Sequence, residues 1–321
     1  MEHRPTSIDT RRLAACVGFL CCVAVVLVVG CGESRQEPDG PTVALRATSE
    51  FGHAVVASQD EAPLAGHRTV LRLVREHADL TTVQDGARIE SIDERYYQEL
   101  PFRTTWSLIV NGIEADETAD AYRLFPGDVV QLDLRYWDLE LDVRATVGAF
   151  PATFRRGVFG SRFPVTVRCV EAPASACRRV KSTLRAAGVA PDGSRPPGDR
   201  PPAGQPQRAQ ILVGEWTSLR DRPWPSRVDD GPGASGVFAR FTPNGEALAL
   251  LDWEGEPVRS VASGAGLVAA MRPTEEDLLW MVTGVDAEGV ERAARALDAE
   301  RLEDAFAVVV TDDVEKIPLK P

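Results

Sequence analysis

A charge-free apolar run lies near the N-terminus. Residues 13–29 contain no charged side chain, and Arg4, Arg11 and Arg12 precede them. A basic stretch followed by an apolar run is typical of a signal peptide. The run is shorter than the roughly 20 apolar residues that a spanning helix prefers, although it approaches the lower limit. The pattern predicts export, through a cleaved signal peptide or an uncleaved anchor.

The end of this run resembles the bacterial lipobox. Val28, Val29 and Gly30 stand before Cys31, although leucine is more common than valine at the first of these positions. The resemblance implies that a signal peptidase recognises these three residues and that Cys31, lipidated, becomes the mature N-terminus. The alternative is a plain signal anchor in which Cys31 is a buried thiol. Either way, the arginines hold the N-terminus inside, so the remaining chain lies on the extracytoplasmic face of the cell membrane.

Alternating patterns after the anchor predict a first module. Residues 32–41 are rich in Gly, Pro and polar residues and predict a flexible tether. Residues 42–48 and 53–58 alternate apolar and polar positions, as in a hairpin with one buried face. Apolar residues at helical spacing in 67–78 predict an amphipathic helix, and residues 87–92 alternate again.

The next segment carries turn signals. The strand containing Trp106 runs into Asn111-Gly112, a pair suited to a tight hairpin turn. Pro126-Gly127-Asp128 forms a second turn before the strand that residues 129–136 predict. With the preceding helix, these motifs resemble the transcobalamin-like β-grasp domain of unknown function.

The resemblance implies a small β-grasp fold for residues 42–140, which is under a third of the chain. In that family the domain occurs in bacterial surface proteins, and in transcobalamin-type proteins it forms part of a cobalamin-binding unit. The helical solenoid that accompanies it there has no counterpart in this sequence. A likeness of fold does not by itself transfer a ligand.

Residues 141–321 predict an α/β module, because strand-like and helix-like segments alternate. Its predicted strands cover 163–170, 210–215, 236–241, 247–253, 265–271, 277–283 and 305–311, and its predicted helices cover 178–187 and 287–297. Residues 190–209 are crowded with Pro, Gly and Arg and predict a disordered insertion, with a domain boundary as the alternative. The fold class predicted for the whole chain is α+β.

Six cysteines are present, and four of them, up to Cys31, belong to the signal and anchor region. The remaining two, Cys169 and Cys177, predict a disulfide in an oxidising compartment. A metal-binding or catalytic pair is the alternative, but no histidine lies close enough to complete a zinc site. The sequence predicts no metal site and no cofactor.

The four histidines limit the catalytic chemistry. His3 lies before the apolar run and His53, His67 and His77 lie in the first module, so the second module has no histidine. A Ser-His-Asp or Cys-His site there would have to borrow its base from the other module. No catalytic residues are predicted, although 48 Asp and Glu residues leave a carboxylate-pair hydrolase open.

Composition and charge limit the classes of partner that the protein can bind. The chain has 321 residues, of which 44% are hydrophobic and 26% charged, and its net charge is −12. An acidic surface disfavours nucleic acid and anionic headgroups, so a lipid has to hold the protein at the membrane. Trp106, Tyr136 and Trp137 are a candidate aromatic ligand platform, with core packing as the alternative.

Three functional classes remain. The first is a non-catalytic lipoprotein that binds a small ligand or assists an envelope transporter, and a cavity between the modules would favour it. The second is a structural or interaction component of the envelope, which flat apolar patches would favour. The third and least favoured is a carboxylate-dependent hydrolase, which needs two facing carboxylates.

Overall fold

A computed structural model describes residues 40–64, 66, 68–84, 88–96, 104–136, 141–193 and 200–321. The predicted signal peptide, with Val28, Val29, Gly30 and Cys31, lies outside the described residues, and so does Trp137. The described residues form mixed and antiparallel sheets with seven α-helices among them. The predicted α+β fold class is confirmed.

The described residues of the first module form one helix, α1, at Val70–His77 and eight strands. The strands are β1 Thr42–Ser49, β2 Ala54–Pro63, β3 Leu80–Val83, β4 Arg88–Ile92, β5 Arg95–Tyr96, β6 Thr104–Val110, β7 Ile113–Glu114 and β8 Val129–Tyr136. The predicted order of hairpin, helix and further strands is observed. Alternation gave no sign of β3, whose Leu-Thr-Thr-Val sequence is too short for a pattern.

The main sheet of this module has the order β2-β1-β8-β6-β7. The first and last strands, β1 and β8, are parallel neighbours at its centre, and every other pair is antiparallel. A hairpin, a helix that crosses the sheet and a last strand beside the first give a β-grasp-like arrangement. A small sheet, β3-β4-β5, lies apart from it.

Helix α1 covers one face of this sheet because its apolar stripe has helical spacing. Thr69 caps its N-terminus by accepting a hydrogen bond from the backbone of Arg72. The buried stripe is the predicted one, namely Val70, Leu71, Leu73 and Val74. It packs in one cluster with Leu45, Leu108 and Leu132 of the sheet.

The second module begins with α2 at Ala152–Arg156 and ends with β17 at Val314–Ile317. Its other helices are α3 Ala174–Ala186, α4 Trp216–Leu219, α5 Pro232–Ser235, α6 Ala287–Arg295 and α7 Ala299–Leu302, with a 3-10 turn at Pro225–Val228. Its other strands are β9 Val165–Cys169, β10 Arg208–Glu215, β11 Ala239–Phe241, β12 Leu248–Leu251, β13 Pro257–Val261, β14 Gly266–Met271, β15 Asp277–Gly284 and β16 Ala307–Val310.

The large sheet of this module has the order β17-β16-β14-β15-β10-β9. Strands β9, β10 and β15 are parallel, whereas β14 is antiparallel to both its neighbours. Every residue of β14 and β15 is buried, as expected for strands covered on both faces. Helices α3 and α6 pack on one face, and the small sheet β11-β12-β13 contributes to the core on the other.

The predicted disulfide is present. Cys169 at the end of β9 is bonded to Cys177, and their Cα atoms lie 6.0 Å apart. Helix α3 begins at Ala174, four residues before its predicted start, so Cys177 lies inside the first turns rather than at the helix start. The bridge closes the loop between β9 and α3.

The segment predicted as a disordered insertion, residues 190–209, has defined contacts at its C-terminal end. Strand β10 begins at Arg208, two residues earlier than predicted, and pairs with β15. Gln205 is buried, and the backbone oxygen of Gly204 accepts a hydrogen bond from the buried Arg272. Backbone contacts therefore hold the segment that leads into β10, although its composition is that of a disordered chain.

The two modules share a core. The turn between β1 and β2 inserts Phe51, which is fully buried, against Phe238 and Phe306 at ring-centroid distances of 5.1 and 5.3 Å. Phe51 and Glu50 both have positive φ, and the backbone oxygen of Gly52 accepts a hydrogen bond from Lys316. An apolar side chain from a loop thus joins the core of the other module.

No helix within the described ranges is long and apolar enough to cross a membrane.

Candidate functional site

The turn motifs of the first module hold one another. We call Asn111, Asp128 and the groups they bind the Asn111–Asp128 cluster. Asn111 donates from Nδ2 to Asp128 at 2.8 Å and to the backbone oxygen of Gly157 at 3.0 Å, and its Oδ1 accepts from the backbone of Val129 at 2.9 Å. The second Asp128 oxygen accepts from the backbone of Phe125. The motif that carries the family resemblance therefore has a structural role.

The geometry of this turn is the one that the Asn-Gly pair predicts. Asn111 and Gly112 have φ values of 53° and 77°, which a tight hairpin turn between β6 and β7 requires at both central positions. Gly112 also has no room for a side chain, because a Cβ atom there would lie 2.8 Å from the backbone oxygen of Thr146. The turn is pressed against the second module.

A second buried carboxylate also has its hydrogen bonds. Asp133 on β8 accepts from the hydroxyl of Thr48 at 2.7 Å and from the backbones of Phe51 and Gly52 at 3.2 and 2.9 Å. Burial raises its pKa, and these bonds oppose the rise. Asp133 thus fixes the turn that carries Phe51 into the second module.

A cavity of about 430 Å³ beside Trp106 differs from these clusters. We call it the Trp106 cavity. It lies among β4, β6, β8 and the loop after β7, and it is lined by Arg88, Ile89, Thr105, Trp106, Ser107, Leu108, Glu114, Glu117, Thr118 and Leu132 among others. Its volume is within the range of about 300 to 1,000 Å³ that is typical of small-molecule sites.

Two polar atoms of the residues that line the Trp106 cavity have no hydrogen-bond partner among the described residues. They are Nε1 of Trp106 and Oε2 of Glu117, and both atoms are shielded from the surface. The indole nitrogen can only donate, and an ionised carboxylate can only accept. Buried groups in this state cost about 1 to 3 kcal/mol each, so a polar partner for this donor and this acceptor would lower the free energy of the folded protein.

Glu114, the other carboxylate of the Trp106 cavity, is already engaged. It pairs with Arg135, which also donates to the hydroxyl of Ser107. Burial raises the pKa of Glu114, and the charges of Arg135 and Arg144 oppose the rise. Glu114 therefore neutralises a buried arginine, whereas Glu117 has an oxygen without a partner.

The structure separates the predicted aromatic platform. Trp106 and Tyr136 lie on paired strands, opposite Leu134 and Thr104 respectively, but they line different cavities. The ring of Tyr136 packs on Trp253 of the second module at a centroid distance of 5.5 Å. Of the platform residues that the structure describes, only Trp106 borders the Trp106 cavity.

A second cavity, of about 260 Å³, lies between the modules. We call it the junction cavity. The first module contributes Ala44, Arg46, Gly127 and Val129, and the second module contributes residues 148–152, Arg155, Arg156, Ala299, Glu303 and Asp304. Burial raises the pKa of Asp304 to about 6, despite the opposing charges of Lys316 and Arg46. Of the three functional classes, the ligand-binding class is the one that a cavity between the modules favours.

Sequence reasoning missed Glu117, Arg155, Arg156 and Asp304. Glu117 lies in a loop without periodicity, and Asp304 follows a four-residue helix, so neither has a local pattern. Arg155 and Arg156 form a visible pair of basic residues in an acidic chain, and this is the signal that could have drawn attention to the junction.

Comparisons with known proteins leave the family open. No family model matches the chain, and no curated protein matches it. A solved structure described as a "putative metal binding protein from Ruminococcus gnavus ATCC 29149" matches 30% of this chain and 98% of its own, with 15% identity and a TM-score of 0.25. Agreement this low identifies neither fold nor function, so the case for function has to come from the sites themselves.

Proposed function

We propose that the protein is a membrane-anchored extracytoplasmic lipoprotein that binds a small polar ligand in the Trp106 cavity and either retains it or delivers it to an envelope transporter. The observation that carries the proposal is that two residues lining this cavity, Trp106 and Glu117, each have a buried polar atom without a partner, namely Nε1 and Oε2. The basic and apolar N-terminal pattern, with Cys31 at the end of the lipobox-like motif, supports the lipid anchor.

The ligand chemistry follows from this pair. One group of the ligand has to accept from the indole N–H, and one has to donate to the carboxylate. A hydroxyl group or an amide can do both, whereas a ligand that is only an anion or only an ammonium ion satisfies one atom of the pair. We therefore propose a neutral, hydroxyl- or amide-bearing ligand.

The β-grasp-like sheet order supports the resemblance of the first module to transcobalamin-like β-grasp domains. We propose that relationship for this module alone, with the domain division at about residue 140. A corrinoid is not carried over as the ligand, because the proposal rests on the hydrogen-bonding pair and not on the fold.

Native mass spectrometry of the full-length protein, purified in mild detergent from its own source, tests the binding role. We expect a reproducible adduct whose mass identifies the ligand class, and we expect Trp106→Phe to lose it. Trp253→Phe is the matched control, because Trp253 packs on Tyr136 and does not line the Trp106 cavity. A wild type without an adduct that also takes up no sugar, amide or corrinoid would overturn the proposal.

The anchor has a separate test. The wild type should carry the mass of a diacylglycerol on Cys31, and Cys31→Ser should leave the precursor unprocessed or release the protein from membranes. A wild type without lipid, extracted from membranes in the same way as Cys31→Ser, would refute the anchor and leave the binding proposal standing.

The other two classes are weaker candidates. The exposed large apolar side chains among the described residues are Val55, Tyr96 and Val258, which lie on β2, β5 and β13, so an interaction role stays an untested alternative. A hydrolase would need two free carboxylates in the Trp106 cavity, and Glu114 is paired with Arg135. Turnover of the ligand identified by mass spectrometry would reverse this order.

A further inference from the structure

The junction cavity contains an imbalance of charge that the proposed function does not use. Arg155 and Arg156 end the short helix α2 and both line this cavity. Neither has an acidic partner within ion-pair distance among the described residues. The chain has a net charge of −12, yet the charges of these two cavity-lining arginines are not neutralised by an ion pair.

The third arginine of the junction cavity has the opposite environment. Arg46 pairs with Asp60 at 2.6 Å, with Glu303, and with Asp304 at 3.6 Å. The two carboxylates that line the cavity are thus turned to Arg46, which limits their repulsion of an incoming anion. The positive charge of the cavity is concentrated on the side of Arg155 and Arg156.

Arg156 is held in place by the first module. Its guanidinium lies over Gly127, where a Cβ atom would come within 2.4 Å of Nε and Nη2. Burial raises the pKa of Asp128, and the nearby charge of Arg156 opposes the rise. The two side chains form no ion pair, and the oxygens of Asp128 accept from Asn111 and Phe125. The N–H groups of Arg156 therefore remain for another acceptor.

We infer that the junction cavity binds a small oxyanion, a phosphate or a carboxylate group, between Arg155 and Arg156. The planar guanidinium matches both groups in a bidentate geometry. A volume of about 260 Å³ lies below the usual range for drug-sized ligands, so the anion is a small molecule or the end of a larger one. An anion there touches both modules, and it binds independently of the Trp106 cavity.

Isothermal titration calorimetry of the full-length protein in detergent tests this inference. Sodium phosphate and sodium succinate are titrated separately at pH 7, with chloride keeping the ionic strength constant. We expect saturable binding of at least one of them, and the stronger of the two identifies the oxyanion class. Absence of heat with both would overturn the inference.

The variants locate the site. The double variant Arg155→Gln/Arg156→Gln should weaken binding at least tenfold, as expected for the loss of charge-assisted hydrogen bonds. Arg178→Gln/Arg179→Gln is the matched control, because Arg178 and Arg179 are also adjacent arginines, exposed on α3 and remote from the cavity lining. Equal binding by the two double variants would refute the site.

A further variant keeps both arginines, so a loss of binding in it cannot result from misfolding caused by their removal. Ala299 lines the junction cavity and is exposed, so Ala299→Phe should obstruct the cavity and weaken binding while both arginines remain. Trp106→Phe should leave oxyanion binding unchanged, which separates a failure here from a failure of the proposed function. Unaltered binding by Ala299→Phe would contradict the location.

Discussion

The Asn111–Asp128 cluster and the Trp106 cavity both bury polar side chains in the first module, but they differ in one respect. In the cluster, Asn111 and Asp128 have hydrogen-bond partners at 2.8 to 3.0 Å. Among the residues that line the cavity, Trp106 and Glu117 each bury a polar atom without a partner. The residues with a recognisable turn motif therefore satisfy one another and build the fold, whereas the polar atoms without partners belong to residues without a motif and are the ones that we propose a ligand contacts.

The largest effect should come from breaking the satisfied cluster. Asn111→Ala removes three hydrogen bonds, leaves a buried Asp128 oxygen without its partner and places alanine at positive φ. We expect a loss of about 4 kcal/mol in the free energy of unfolding, measured by urea denaturation. Asn244→Ala, in the exposed turn after β11, should cost less than about 1 kcal/mol. Similar losses in the two variants would show that the Asn111–Asp128 cluster stabilises the fold no more than an exposed turn does.

The Asp304 carboxyl is intermediate between the satisfied cluster and the unpartnered atoms. It is buried, but the cations Lys316 and Arg46 lie near it. Its folded-state pKa of about 6 is above the ordinary 3.8. Its contribution to stability is therefore fully present below about pH 4 and is lost as the pH rises through 6. Two pKa units correspond to about 3 kcal/mol at most.

The matched measurement compares the wild type with Asp304→Asn at pH 4 and pH 7. Asparagine tolerates the positive φ of this position better than most residues do. Relative to this variant, the wild type should become less stable as the pH rises. A constant difference between the two pH values would mean that the Asp304 carboxyl is not desolvated in the folded protein.

The disulfide lies outside both regions, so its removal gives a reference value for the change in the free energy of unfolding. Replacing both Cys169 and Cys177 by serine should lower the free energy of unfolding by about 2.5 kcal/mol, because a closed loop of this length restricts the unfolded chain. The same variant in the presence of a reductant should match the reduced wild type. A larger loss would indicate that the serines disturb the packing of β9 against α3.

The smallest effect on stability is expected at the Trp106 cavity. Trp106→Phe removes an unpartnered buried N–H group, which stabilises the protein, and replaces the indole by a smaller ring, which weakens packing. These effects oppose each other, so the stability should stay within about 0.5 kcal/mol of the wild type while ligand binding is lost. Urea denaturation of the ligand-free protein and the co-purifying mass measure the two properties. A loss comparable to that of Asn111→Ala would mean that Trp106 is an ordinary core residue.

Much of the fold was predictable because its elements have strong periodicity or distinct turn chemistry. The α1 stripe, the Asn111-Gly112 turn and the Cys169–Cys177 bridge all follow from local patterns, and the structure confirms them. Short elements such as β3 and α7 were missed, because four residues are too few to show a period.

The Trp106 cavity was only partly predictable, for a physical reason. Trp106 was recognisable as an aromatic residue on a strand, but Glu117 joins it through the path of an irregular loop. The junction cavity requires the docking of two modules, which depends on contacts between residues far apart in sequence, such as Asn111 with Gly157. No window of the sequence contains that information.

The insertion of Phe51 into the second module has a consequence for how the two modules evolve. A lone second module would lose a buried ring from among Phe238 and Phe306, and a lone first module would expose that ring to water. Neither half could be exchanged between genes without a matching change in the other. We therefore expect the two modules to have diverged together, with Phe51 and its aromatic neighbours varying as a set.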